Sequence, residues 1–304
     1  MTLTVANADQ ATAFYVKAFG CIVLFDRLFE AGSYSQLGEC APSSVRVVTM
    51  RLGDEYIELQ QYLDLDPAPI PKDSRSHDLW FQHAAIVVRD MDLAYQHLTK
   101  FEIEPISVGG PKTIPQSNPD AGGVRAFKFR DMDGHSLELI WFPPDKRDDK
   151  WQNPGERLFL GIDHSAIAVS DTEQSLSFYR DILNLEVAGH GNNKGDTQAA
   201  LDNLPVADVK LTTIESAKIN IELLNYQQPQ DSRPRPQNWK ISDLSHRHLI
   251  LEVPDLRSSL EALQRYAISD SSPRIVPLPD DYRYTAGILT QDPDGHSILL
   301  VTAP

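Results

Sequence analysis

The hydrophobic positions of this chain fall into a pattern that recurs four times. The stretch His164-Ser-Ala-Ile-Ala-Val-Ser-Asp171 alternates as a strand does and ends at a helix-start signal. His83 to Asp90 and His248 to Asp255 repeat it, at steps of 164 − 83 = 81 and 248 − 164 = 84 residues. Leu3-Thr-Val-Ala-Asn7 is a shortened fourth copy. A helical pattern follows each strand. Ser170-Asp-Thr-Glu173 has the spacing of a capping box, and Leu176, Tyr179, Ile182 and Leu183 follow at helical intervals. Tyr15, Ala18 and Phe19 repeat that stripe, and weaker copies start at Asp90 and Asp255.

Each module then closes with strand-like runs. The last of these are Glu55 to Leu59, Ser136 to Ile140, Ile219 to Leu224 and Ser297 to Val301. Two are preceded by Asp-Gly turns, Asp131-Met-Asp-Gly-His135 and Asp292-Pro-Asp-Gly-His296, which are hairpin signals. His135 and His296 are therefore read as turn residues. Pro-rich stretches also recur, before His83 and before His248, whereas the segment from Pro143 to Arg157 is polar. The expected organisation is α+β, with four βαβββ modules at about 1–62, 81–143, 159–226 and 247–304. Modules one and two are expected to form one unit (1–143) and modules three and four another (159–304), joined by a linker at 144–158.

Strand alternation sorts the side chains into two faces. On the first strand of module three, Ile167 and Val169 share one face and His164 lies on the other. On its last strand, Ile221 and Leu223 oppose Glu222. The bulkier face is expected to pack on the helix, which turns His164 and Glu222 the same way. The parity holds for His83 and Glu138 in module two, for Glu58 in module one and for His248 in module four. Leu299 stands where the other last strands carry Glu. The position matching His164 in module one falls at zero (164 − 169 + 5, aligning Val5 with Val169). A single His or Glu on a strand is ordinarily structural, but three of each in matching positions of a repeat point to metal ligation.

Composition narrows the partners. Net charge is −15, with 41% apolar and 23% charged residues and no Lys/Arg cluster, which disfavours nucleic acid and favours a small-molecule ligand. No apolar run is long enough for a membrane helix and no signal peptide is evident, so a cytoplasmic monomer or homodimer is expected. Two cysteines, Cys21 and Cys40, do not make a disulfide framework.

A paired βαβββ repeat with His on the first strand and Glu on the last resembles the vicinal oxygen chelate superfamily of glyoxalases, bleomycin-resistance proteins and extradiol dioxygenases, over nearly the whole chain. The resemblance implies two half-open, eight-stranded cups. It also implies a divalent metal that binds two neighbouring substrate oxygens and stabilises the charge that develops on them. With modules three and four paired, the metal ligands are expected to be His164, Glu222 and His248. With modules one and two paired, a second set is Glu58, His83 and Glu138. Two imidazoles and a carboxylate suit Fe2+, which is favoured, and also Zn2+, Ni2+, Mn2+ or Co2+. Extradiol-type ring cleavage is the first functional expectation. A glyoxalase-I-like isomerase or lyase, whose sites usually carry four protein ligands, is the second, with Glu252 as a candidate base. A metal-free binding protein walled by Trp80, Trp239, Tyr282 and Tyr284 is the third. Substrate specificity is expected from the segments Pro105 to Asn118 and Gly189 to Asp202, read as loops.

Overall fold

The chain builds two curled sheets from seventeen strands in a computed structural model that describes residues 1–31, 35–37, 41–152, 155–266 and 273–302. Cys40 lies outside the described residues. Module one contributes β1 (Thr2–Thr4), α1 (Ala8–Phe19), β2 (Ile22–Phe29), β3 (Val45–Leu52) and β4 (Glu55–Tyr62). Module two contributes β5 (Gln82–Val88), α2 (Met91–Leu98), β6 (Glu104–Pro105), β7 (Lys112–Thr113), β8 (Arg125–Arg130) and β9 (Ser136–Trp141). Module three runs through β10 (Phe159–Ala168), α3 (Thr172–Leu176), β11 (Val187–Lys194), α4 (Asp196–Asp202), β12 (Asp208–Ile214) and β13 (Asn220–Gln228). Module four has β14 (Arg247–Glu252), α5 (Leu256–Tyr266), β15 (Val276–Pro277), β16 (Ala286–Gln291) and β17 (Ser297–Val301).

The helices start where the short polar residues predict. Asn7, Asp90 and Asp171 each accept a hydrogen bond from the amide three residues on, at 3.0 Å. In module three the cap is Asp171 rather than Ser170, so the expected capping box is displaced by one residue. The predicted Asp-Gly turns also form. Gly134 and Gly295 sit at φ +89° and +91°, a region that disfavours any Cβ.

The modules do not pair in sequence order. One sheet runs β15-β16-β17-β14-β1-β4-β3-β2, which joins modules four and one. The other runs β11-β12-β13-β10-β5-β9-β8-β6, with β7 beside β8, and joins modules three and two. The expected pairing of one with two and three with four is thus corrected. The cause lies in the connections. The segment 144–158, expected to separate the halves, falls instead between β9 and β10 of one sheet. The two Pro-rich segments are the crossovers between sheets, and they pack on each other. Buried Asp78 takes both Arg75, at 2.9 Å, and Arg233 of the other crossover, at 2.6 Å. The Leu79 amide donates to the Arg233 carbonyl at 2.9 Å, and that of Leu244 to Ala68 at 3.0 Å.

The predicted faces are those observed. Ile57, Leu59, Ile86, Leu137, Leu139, Ile167, Ile221, Leu223 and Leu249 enter one large core with the helices. That core spans both sheets, since Phe19 of α1 meets Phe129 of β8 and Phe159 of β10 edge-on or tilted at 6.4 and 5.4 Å. His135 and His296 tie the sheets together. Nε2 of His135 lies 3.0 Å from the carbonyls of Thr4 and Leu244, and that of His296 lies 2.9 Å from the Ala168 carbonyl. The opposite, concave faces are left to the two cups.

Candidate metal centre

Register explains the site. β5 and β10 meet antiparallel, so that His83 faces Ala166 and His164 faces Ala85. On the flanks, β9 places Glu138 beside Ala85, and β13 places Glu222 beside Ala166. Two rows therefore cross the floor of the cup, one reading His83, Ala166, Glu222 and the other Glu138, Ala85, His164. All of these residues share the concave face by strand parity. The two alanines are fully buried and leave the space between the larger side chains open.

The imidazoles and carboxylates converge. Nε2 of His83 lies 3.3 Å from Oε2 of Glu138, and Nε2 of His164 lies 3.8 Å from the same oxygen. Glu222 Oε2 is 3.4 Å from Nε2 of His164. Ligand atoms of His83, Glu138 and His164 all fall within 4.8 Å of one another, and this is the tightest such group among the described residues. Glu222 stands at its edge, with its side chain 21% exposed to the cavity where Glu138 is 6% exposed. His164 is oriented from behind, since its Nδ1 lies 2.9 Å from Oδ2 of Asp163 and the other Asp163 oxygen accepts the Trp151 indole N–H at 3.2 Å.

The electrostatics separate the four. Burial pushes His83 down to about 4 despite the nearby Glu138 charge, which keeps its imidazole neutral. Burial also opposes the charged form of His164, but Glu222, Asp163 and Glu138 outweigh it and carry that group up to about 9. Burial opposes ionisation of Glu138, yet His83, Lys128 and His164 bring it down to about 2. Burial raises Glu222 above the ordinary carboxylate range, only partly offset by His164. The residues fit a divalent ion on a further count. Nδ1 of His83 is buried without a hydrogen-bond partner and its Nε2 has only the 3.3 Å approach to the Glu138 carboxylate, a costly state for a neutral imidazole that an ion taking its lone pair would relieve.

The four groups open onto a cavity of about 300 Å³, walled by apolar side chains that include Ile114, Ile140, Val209 and Leu224. Segments read from sequence as loops supply much of it, but as the edge strand β11 and the helix α4. The expected set of His164, Glu222 and His248 is not assembled, because His248 is on β14 in the other sheet. There its Nδ1 lies 3.1 Å from Nε2 of His246. Nor do Glu58, His83 and Glu138 meet. Glu58 belongs to the other cup, where it accepts hydrogen bonds from Tyr282 at 2.8 Å and Gln60 at 2.9 Å. Tyr282, Tyr284 and Leu299 pack into an apolar cluster in that cup, beside a separate cavity of about 330 Å³ lined by Phe25, Thr49, Tyr56 and Tyr282. Glu252 also lies in that sheet, half-exposed and accepting from the Tyr284 hydroxyl at 3.0 Å, away from the cavity. Trp80 and Trp239 pack edge-on against each other at 5.5 Å rather than lining the cavity.

A model of the Glyoxalase/Bleomycin resistance protein/Dioxygenase superfamily matches residues 1–139 and 161–300. Among solved structures, glyoxalase I from Zea mays superposes with a TM-score of 0.65 at 18% identity, covering 99% of this chain and 90% of that one. A candidate dioxygenase from Bacillus subtilis subsp. subtilis str. 168 gives 0.59 at 15% identity, over 100% and 84% of the two chains. Likeness at these identities is one of fold. No curated protein sequence matches. No helix among the described residues is long and apolar enough to cross a membrane.

Proposed function

The chain belongs to the glyoxalase, bleomycin resistance protein and dioxygenase superfamily, and from that premise we propose that it is a divalent-metal isomerase or lyase of the glyoxalase I kind. Its substrate is a small compound with a hydroxyl next to a carbonyl. The observation that carries this reading is the convergence of two imidazoles and two carboxylates on one cavity, with one carboxylate standing apart from the other three groups. His83, His164 and Glu138 alone would also make the two-histidine, one-carboxylate set of ring cleavage; the second carboxylate, Glu222, on the same cavity favours the isomerase or lyase.

His83, Glu138 and His164 would hold the ion, with Glu222 reaching it from the side. When bound, the ion supplies positive charge to the two neighbouring oxygens of the substrate. Asp163 holds the His164 ring in place. Glu222 takes the proton from the carbon bearing the hydroxyl onto a carboxylate oxygen and returns it to the neighbouring carbon. A carboxylate whose affinity for protons is raised by burial is suited to that transfer. The apolar walls limit exchange of that proton with water.

The test is metal content after purification without chelator, followed by turnover of hemithioacetals of methylglyoxal with Ni2+ or Zn2+. One ion per chain is expected, lost in His83→Ala and His164→Ala. Glu222→Gln is expected to keep an ion and lose about 10²-fold or more in turnover. A chain that binds no ion when one is supplied, or that consumes O2 with a catechol and Fe2+, overturns the reading.

A further inference from the structure

Lys128 lies in register with Glu138 on the concave face of β8, and its side chain is 4% exposed. A buried ammonium needs a partner. Here Asp202, the last residue of α4, lies 2.6 Å from Nζ. Burial disfavours the charged lysine, but Asp202 and Glu138 together raise its pKa, so the ammonium persists. Asp202 also accepts from Nε2 of Gln198 at 2.7 Å and from the Tyr226 hydroxyl at 3.0 Å. The helix that carries Asp202 and Gln198 is fastened down. Ser107 Oγ donates to the Leu201 carbonyl and Ser76 Oγ to the Asp202 carbonyl, both at 2.9 Å. Lys128, Gln198 and Tyr226 all line the cavity that holds the four candidate ligands.

A count of donors and acceptors leaves two capacities open. Oε1 of Gln198 is buried with no partner, although its residue is only 4% exposed. Lys128 gives one N–H to Asp202 and, among the described residues, has no second acceptor in hydrogen-bond range. An acceptor and a donor therefore wait on the wall of the cavity beside Glu138, where the lysine and aspartate charges cancel.

We propose that Lys128 and Gln198 form a specificity-determining subsite for a non-reacting group of the substrate, and that it takes a neutral group with both an oxygen acceptor and an O–H or N–H donor, a hydroxyl or a carboxamide. The proposal rests on the metal-site reading above, which places the reacting end. A carboxylate there would face Asp202 and would offer Oε1 of Gln198 no hydrogen. An ammonium would face Lys128. A methyl group would bury the same two polar groups unpaired.

The probes are alkyl hydroxamates of one chain length, ending in hydroxyl, carboxamide, methyl or carboxylate, titrated calorimetrically into the metal-loaded full-length protein. Hydroxyl or carboxamide ends are expected to bind about tenfold or more tighter than methyl or carboxylate ends. Gln198→Met is expected to collapse the hydroxyl-to-methyl ratio toward one by weakening the hydroxyl probe and tightening the methyl probe, whereas a purely structural role for Gln198 would weaken both alike. The paired variant Lys128→Met with Asp202→Leu, which leaves no charge alone, is expected to collapse it too. Equal binding of all four probes, or an unchanged ratio in Gln198→Met, overturns the subsite alone. Failure of every hydroxamate to bind overturns the metal-site reading and the subsite with it.

Discussion

Ala85 lies directly opposite His164 across the seam between β5 and β10. Its methyl group, buried between the strands that carry Glu138 and His164, leaves the space in which the two could face one ion. Ala85→Leu is expected to fill that space, abolish metal binding and cost about 1–3 kcal/mol of stability through overpacking. Metal stoichiometry and a urea midpoint measured on the same variant check both halves. A leucine variant that still binds one ion per chain would show that the floor of the cup is not the site.

Asp163 sits next to His164 in the chain yet acts on its ring, through the 2.9 Å contact to Nδ1. Asp163→Asn keeps the shape and removes the charge. Metal affinity is expected to fall about 10- to 100-fold. In the metal-free protein the imidazole of His164, held up at about 9, should titrate lower, because one of the charges raising it is gone. Competitive metal titration and an NMR pH titration of the His164 ring measure the two effects.

Buried neutral histidines in the second cup make the metal-free protein acid-sensitive. Burial, with the nearby Arg235 charge, takes His246 down to about 3, and burial drives His248 well below its ordinary value. Unfolded, each imidazole takes up a proton near pH 6.5, whereas the folded one does not until much lower pH. The unfolded state thus binds more protons below 6.5, and stability falls as pH drops from 6.5 toward 3. The slope is at most about 1.4 kcal/mol per pH unit for each histidine. Glu138, held at about 2, loses its contribution only below the unfolded value of 4.5, and so not between pH 7 and pH 5. Urea midpoints at pH 7 and pH 5 with chelator present should differ less in His246→Leu than in the wild type. Contributions of other buried imidazoles, His83 among them, cancel in that comparison. Equal differences would contradict the assignment.

Much of this was legible in the chain. The four modules, the faces of their strands and the residues His83, Glu138, His164 and Glu222 all follow from alternation within a repeat. The choice of which modules meet did not. Strand parity is satisfied by any pairing, and backbone hydrogen bonds between β5 and β10 or between β1 and β14 carry no side-chain signature that a single sequence displays. One signal was available. Leu299 interrupts every pairing that includes module four, and among the residues of this sequence only modules two and three together collect two His and two Glu. The Lys128–Asp202 pair was out of reach for another reason. Its partner lies on α4, a helix inserted where the sequence reads as a loop.

The two cups make opposite predictions for equivalent residues. His248 corresponds by register to His83 and Glu58 to Glu222, with Thr2 between them where the other cup has Ala166. Yet Glu58 is engaged by Tyr282 and Gln60, and Leu299 and the two tyrosines pack in the same cup. An ion there would have to displace a hydrogen-bonded tyrosine. His248→Asn and Glu58→Gln are therefore expected to leave metal stoichiometry at its wild-type value while lowering stability by about 1–3 kcal/mol, the cost of disturbing a buried polar group. Metal analysis of these two variants beside His83→Ala decides the matter. Loss of an ion in His248→Asn would place a second centre in the other cup and would require Tyr282 to give up Glu58.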